Sequence, residues 1–126
     1  TERILLVDDE PWIVKAQQEI LQRLGYHVTA KRSPLEALET FQTHPLSFDL
    51  IITDQTMPRM TGKELIGEIR KIRNDLPVIL CTGFSPPLMR KEMQELGIRR
   101  VIQKPALTQQ MAEAIRQVLY GRESEG

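Results

Sequence analysis

Residues 50–58 read LIITDQTMP. Three apolar residues run into Thr53 and then into Asp54, and the chain turns at Pro58, so a strand suited to a protein interior ends on a carboxylate. One Asp after a strand has an ordinary explanation, because Asp favours turns and its side chain satisfies nearby backbone N–H groups. What matters is whether other polar residues converge on the same point. Similar runs recur along the chain: ILLV (4–7), HVTA (27–30), VILC (78–81) and VI (101–102), with helical patterns between them. Strand and helix alternate five times, and parallel strands joined by helix-length right-handed returns are what such alternation builds.

The expected fold is therefore α/β, a doubly wound five-stranded parallel sheet of order 2-1-3-4-5 in a flavodoxin-like three-layer sandwich. In such sheets ligands bind beyond the carboxyl ends of the strands, where the order reverses, which here lies between the first and third strands. Ser33-Pro34-Leu35-Glu36 and Thr61-Gly62-Lys63-Glu64 are capping-box patterns, and Gly25 and Gly97 follow helical runs as C-terminal caps. Ile13, Ala16, Ile20 and Leu24, and likewise Leu65, Ile69 and Ile72, have the spacing of buried helix faces. Arg70, Lys71 and Arg73 read as the solvated, basic end of the third helix. His27 and His44 lie away from the carboxyl ends and receive no role.

The composition narrows the function. A chain of 126 residues suits one compact domain that buries about two-thirds of its unfolded surface. The division expected is a domain over residues 1–120 and a short polar tail over 121–126. Lys plus Arg (17) and Asp plus Glu (17) cancel, so there is no overall basic field for nucleic acid. The single cysteine, Cys81, sits in an apolar run and reads as a reduced core thiol. With neither a membrane-span-length apolar stretch nor a signal pattern, a soluble cytoplasmic protein is expected.

The residues following each strand are Asp8, Asp9 and Glu10 after the first, Asp54 after the third, Thr82 after the fourth and Lys104-Pro105 after the fifth. The edge strand adds only Lys31 and Arg32. The reversal between strands one and three brings Asp8 and Asp9 beside Asp54. Carboxylates about 5–6 Å apart repel by roughly 3 kcal/mol per pair at an effective dielectric of 20, so a hard divalent cation is the natural neutraliser. Mg²⁺, or Mn²⁺ in its place, takes a few carboxylates plus water and a substrate phosphate. One carboxylate oxygen could then attack phosphorus. The Lys104 ammonium and the Thr82 hydroxyl would reach the other phosphoryl oxygens. Each element alone has a plainer reading: acids before Pro11 as a helix start, Thr82-Gly83 as a turn, Lys104-Pro105 as a strand terminator. Their convergence on one point favours a phosphate-accepting site.

The motifs VDDE (7–10), DQTMPRMTG (54–62), CTGFS (81–85) and QKPA (103–106) make the chain resemble the receiver domain of two-component response regulators over residues 3–120. The resemblance implies that Asp54 accepts a phosphoryl group from phosphohistidine on a sensor histidine kinase or a histidine-phosphotransfer domain. It implies a metal held by Asp9 and Asp54 directly, by Asp8 mostly through water, and by the backbone carbonyl of Thr56. Lys104 would bridge to the phosphoryl group, its bond to Pro105 being usually cis in the family. Thr82 would be the hydroxyl that moves toward the phosphate, and Thr56 and Phe84 would tune the phosphoryl lifetime, Phe84 by obstructing the hydrolytic water. Trp12 would be a docking contact for the partner's helices, the alternative being an aromatic half-buried on a neighbouring loop. Where the family usually has an aromatic residue that couples the hydroxyl to the output face, this chain has Val101, and Ala106 is smaller than usual. A receiver that only binds protein is therefore the alternative.

Such a domain is a phosphoryl acceptor and switch, not a turnover enzyme, with no direct nucleic-acid or membrane contact of its own; homodimerisation is left open. No DNA-binding segment is expected after Gly126, so a single-domain regulator or a receiver from a larger protein is expected, with GFS and ELGI resembling receivers of hybrid sensor kinases. A phosphatase of the haloacid-dehalogenase type would have its nucleophile after the first strand and a second acid where Thr56 stands. A flavin site would need a hydroxyl-rich or Gly-rich loop after the first strand.

Overall fold

The computed structural model describes residues 2–83, 90–106 and 108–121. Five strands alternate with five helices: β1 Arg3–Val7, α1 Pro11–Arg23, β2 His27–Lys31, α2 Pro34–Thr43, β3 Leu50–Asp54, α3 Gly62–Ile72, β4 Val78–Thr82, α4 Arg90–Leu96, β5 Ile98–Gln103 and α5 Thr108–Tyr120. All pairings are parallel, in the order β2-β1-β3-β4-β5, as expected from the alternation. Successive residues of a strand face opposite sides, and β1 divides accordingly. Leu5 and Val7 join Phe41, Ile51, Leu65 and Ile69 in one core layer, while Ile4 and Leu6 join Leu21, Ile52, Ile79 and Ile115 in the other. The central strands β3 and β4 are buried at all five positions, which is why they read as unbroken apolar runs.

β5 is longer than the two residues legible as strand. Only Ile98 and Ile102 are buried, and a register irregularity opposite Val78 and Ile79 interrupts its pairing. An edge strand needs few apolar residues, so its arginines hid it.

Two predicted helix faces are corrected. In α1 the buried residues are Val14, Gln17 and Leu21, whereas Ala16 and Leu24 are exposed. The true stripe is the neighbouring row with the same 3–4 spacing, disguised by the polar Gln17. In α3, Ile66 is buried and Ile72 is 41% exposed. The helix ends follow the local chemistry more closely. Thr61 and Glu64 form a full capping box, the Thr61 hydroxyl accepting from Glu64 N–H at 3.1 Å and Thr61 N–H donating to the Glu64 carboxylate at 2.9 Å. Ser33 makes only half of its expected box, accepting from Glu36 N–H at 3.4 Å. Gly25 (φ 101°) and Gly97 (φ 70°) take the left-handed conformation that ends their helices.

Candidate functional site

The register carries the chain directly into the site. Val7 pairs with Thr53, so the next residues, Asp8 and Asp54, emerge side by side at the carboxyl ends of β1 and β3; Asp54 in turn pairs with Cys81. Asp8 and Asp54 are buried and Asp9 is half-buried. One carboxylate oxygen from each of the three lies within 4.8 Å of the others. From β5, Lys104 Nζ reaches Asp8 Oδ2 at 3.1 Å and Asp54 Oδ1 at 3.5 Å. Thr82 ends β4, buried, and its carbonyl accepts from Lys104 N–H at 2.8 Å, which ties the hydroxyl-bearing and lysine-bearing strands together. Asp8, Asp9, Asp54, Thr82 and Lys104, predicted separately, thus meet at one end of the sheet. The Lys104-Pro105 bond is cis.

Among the described residues, three carboxylates against one ammonium leave an excess of two negative charges at this end of the sheet. Burial pushes the Asp54 carboxyl above its ordinary value, the Asp8 charge adds to this, and Lys104 offsets only part. Burial would pull Lys104 down, but its hydrogen bond to Asp8 and the two carboxylate charges outweigh that and hold it above the usual lysine range. Lys104 is therefore a fixed cation at neutral pH. Cys81 is pushed up to about 12, by burial first and then by the Asp54 charge, so its thiol stays neutral. Hard oxygen donors with this excess of negative charge suit a divalent cation.

The residues flanking this pocket differ in exposure and bonding. Thr56 is exposed, two residues beyond Asp54. Glu10 is exposed and its side chain caps nothing, although its backbone N–H donates to Asp8 Oδ1 at 3.0 Å. Glu10 therefore does not serve as a side-chain cap for α1. Trp12 is 84% exposed, which removes the half-buried alternative for it. Phe84 lies outside the described residues. Arg73 is not simply solvated: its guanidinium donates to the Phe48 carbonyl at 2.7 Å, the Pro45 carbonyl at 3.1 Å and Asp75 at 2.7 Å.

Two residues support the site in ways the sequence did not show. Gln55, beside the acid, accepts from Gly62 N–H through its backbone carbonyl (2.9 Å) and from Lys63 N–H through its side chain (3.0 Å), holding the start of α3 against the end of β3. Gly62 packs so closely that a Cβ there would stand 2.4 Å from the Asp54 carbonyl oxygen. The available signal was Gly as the first residue of a helix, a place it seldom favours.

Comparison with known proteins agrees with this geometry. Residues 4–116 match the response regulator receiver domain. The response regulator receiver protein CpdR of Brucella abortus (strain 2308) is 31% identical over 117 residues, 93% of this chain and 96% of that protein. The probable transcriptional regulator ycf27 of Cyanidium caldarium is 38% identical over 116 residues, 92% of this chain but 45% of its own length, so the chain spans under half of that relative. The crystal structure of response regulator protein TrrA from Thermotoga maritima, in complex with Mg²⁺–BeF, superposes with a TM-score of 0.81 at 34% identity, covering 94% of this chain and all of that one. The chain belongs to the response regulator receiver domain family, whose members are phosphoryl acceptors of two-component signalling rather than turnover enzymes.

Proposed function

We propose that this receiver takes a phosphoryl group onto Asp54 from a phosphohistidine of a sensor histidine kinase or histidine-phosphotransfer domain, and that residues 1–120 act as one switching unit. The observation that carries the reading is the buried convergence of Asp8, Asp9 and Asp54 with Lys104 at the reversal of the sheet. An Asp54 carboxylate oxygen forms the new bond to phosphorus while the P–N bond breaks, its electron pair and a proton ending on the donor's imidazole. Lys104 is already placed between Asp8 and Asp54, where its charge meets the oxygens of an arriving phosphoryl group. Thr82, at the end of the adjacent strand, supplies a hydroxyl to the same group.

A divalent cation, Mg²⁺ or Mn²⁺, held by Asp8, Asp9, Asp54 and the Thr56 carbonyl, would neutralise the pocket and the transferring oxygens. The Mg²⁺–BeF complex of the related TrrA supports this assignment. No helix among the described residues is long and apolar enough to cross a membrane. Val101 is exposed on β5, and an aliphatic side chain there gives the switch no aromatic ring to turn.

Intact-mass analysis after incubation with acetyl phosphate and Mg²⁺ tests the chemistry. One added phosphoryl group is expected, lost in Asp54→Ala and lost on chelation of the metal. A folded, metal-binding protein with no adduct from acetyl phosphate or from a phosphohistidine donor would leave only a protein-binding role.

A further inference from the structure

At the opposite end of the sheet, where the strands begin, a groove of about 750 Å³ wraps the start of edge strand β2. That volume is within the range of small-molecule sites. It lies between the end of α1 at Gln22 and the end of α2 at Thr40 and His44, with Arg3 of β1 at its side. Val28 and Tyr26 from one face of the sheet and Phe48 from the other give it apolar surface around the edge strand, and Thr29, Thr40 and Ser47 add hydroxyls. No Asp or Glu lines it among the described residues; its charged and titratable lining side chains are Arg3, His27, His44 and the phenol of Tyr26.

We propose that this groove is a second binding site, for an organic anion whose apolar body lies against the rim at Phe48 and whose phosphate or carboxylate meets Arg3, His27 and His44. The wall formed by the α2–β3 loop is already built. Ser47 N–H donates to the His44 carbonyl (3.1 Å), Arg3 Nη2 to the Leu46 carbonyl (3.3 Å), and Arg73 to the Pro45 and Phe48 carbonyls. Both helices end here, and free carbonyls would repel an anion. Those nearest are capped, however: Gly25 N–H donates to Gln22 O and His44 N–H to Thr40 O, each at 3.0 Å. What is left for a ligand is the imidazoles of His27 and His44, which make no hydrogen bond among the described residues, and Arg3 Nη1. The other edge of the guanidinium is occupied by Asp49 and Leu46.

The free edge of β2 adds one more feature. His27 N–H bonds to the Glu2 carbonyl and the Lys31 carbonyl accepts from Asp8 N–H, so both ends of the strand point toward β1. By alternation the backbone N–H and carbonyl of Val28 point outward, along the groove. Among the described residues no strand lies on that side of β2. A phosphate or carboxylate ester, amide or nucleobase edge would find there both a donor and an acceptor.

Phenyl phosphate and adenosine monophosphate are suitable probes, titrated into the full chain with EDTA present so that the acidic pocket at the other end is left negative. The readout is the ring ¹H–¹³C signals of His27 and His44 and the amide signals of Val28, Thr29 and Ser47. Saturable shifts of these signals with at least one probe are expected, together with responses at least about tenfold weaker to phenol and adenosine. Asp54→Asn should bind equally well. The His27→Ala/His44→Ala double variant alters two exposed residues; it should still form the Asp54 adduct while weakening the amide response by about tenfold or more. The proposal is overturned if no shift saturates by about 10 mM probe, if the double variant binds like the parent, or if the neutral analogues bind as well as the anions. None of these outcomes bears on phosphorylation at Asp54, which the mass measurement reads separately.

Discussion

Asp49 and Asp54 bracket the same strand, β3, and meet opposite surroundings. At the strand's entry, Asp49 Oδ2 accepts from the Arg3 backbone N–H at 2.8 Å and faces Arg3 Nε at 3.5 Å. Burial alone would raise its pKa, but the hydrogen bonds and charge of Arg3 hold it below the ordinary carboxylate range. At the exit, burial and the Asp8 charge drive Asp54 the other way, and its lysine is shared with Asp8. The entry end of the strand satisfies its acid locally. Among the described residues the exit end gathers more carboxylate charge than its one lysine balances, and that imbalance is what a divalent cation would relieve.

The largest break in this comparison is removal of the exit acid. Asp54→Asn should abolish the phosphoryl adduct completely and, without metal, raise the unfolding free energy, because it deletes a charge that the folded state holds unfavourably. Thermal unfolding in EDTA checks the second part; a lower midpoint would mean that losing the Lys104 contact outweighs relief of the repulsion.

Next in size is the metal. Mg²⁺ at about a hundred times its dissociation constant should stabilise the fold by about 2.7 kcal/mol. The gain should vanish in Asp9→Asn and persist in Asp49→Asn, as a melting series with and without Mg²⁺ would show. Gly62→Ala follows. Its Cβ has no room beside the Asp54 carbonyl, so a loss of about 1–3 kcal/mol and slower adduct formation are expected in denaturant titration and mass analysis.

Smallest is Asp49→Asn, which should cost under about 1 kcal/mol because the pair is partly exposed. Its pH dependence sharpens the contrast. The folded pKa of Asp49 is lowered, so its stabilisation is present above the unfolded carboxylate value and disappears as pH falls through the folded one. Asp54 is raised, so its penalty is complete above its folded value and is relieved as pH falls through it. Melting curves of the two Asn variants in EDTA between pH 3 and 7 (about the carboxylate range) should therefore diverge from the parent in opposite directions.

The chain order of strands and helices, the acids after β1 and β3, the Thr61 capping box and the Lys104-Pro105 strand end were all legible in the sequence. They rest on local rules: alternation of apolar runs, side-chain capping, and the residue that follows a strand. Three-dimensional packing decided the rest. Which of two equivalent rows of α1 is buried depends on where the sheet lies, so Val14, Gln17 and Leu21 displaced the more apolar stripe. Arg73 looked solvated until the α2–β3 loop, far away in sequence, brought carbonyls to it. The close contact of Gly62 with the Asp54 carbonyl and the raised pKa of Asp54 likewise exist only once separate segments share a volume. Sequence alone determined which groups the carboxyl ends carry, since each follows its own strand. Their distances, desolvation and unequal sharing of one lysine belong to the tertiary structure, because electrostatic energy depends on separation and burial that no single segment contains.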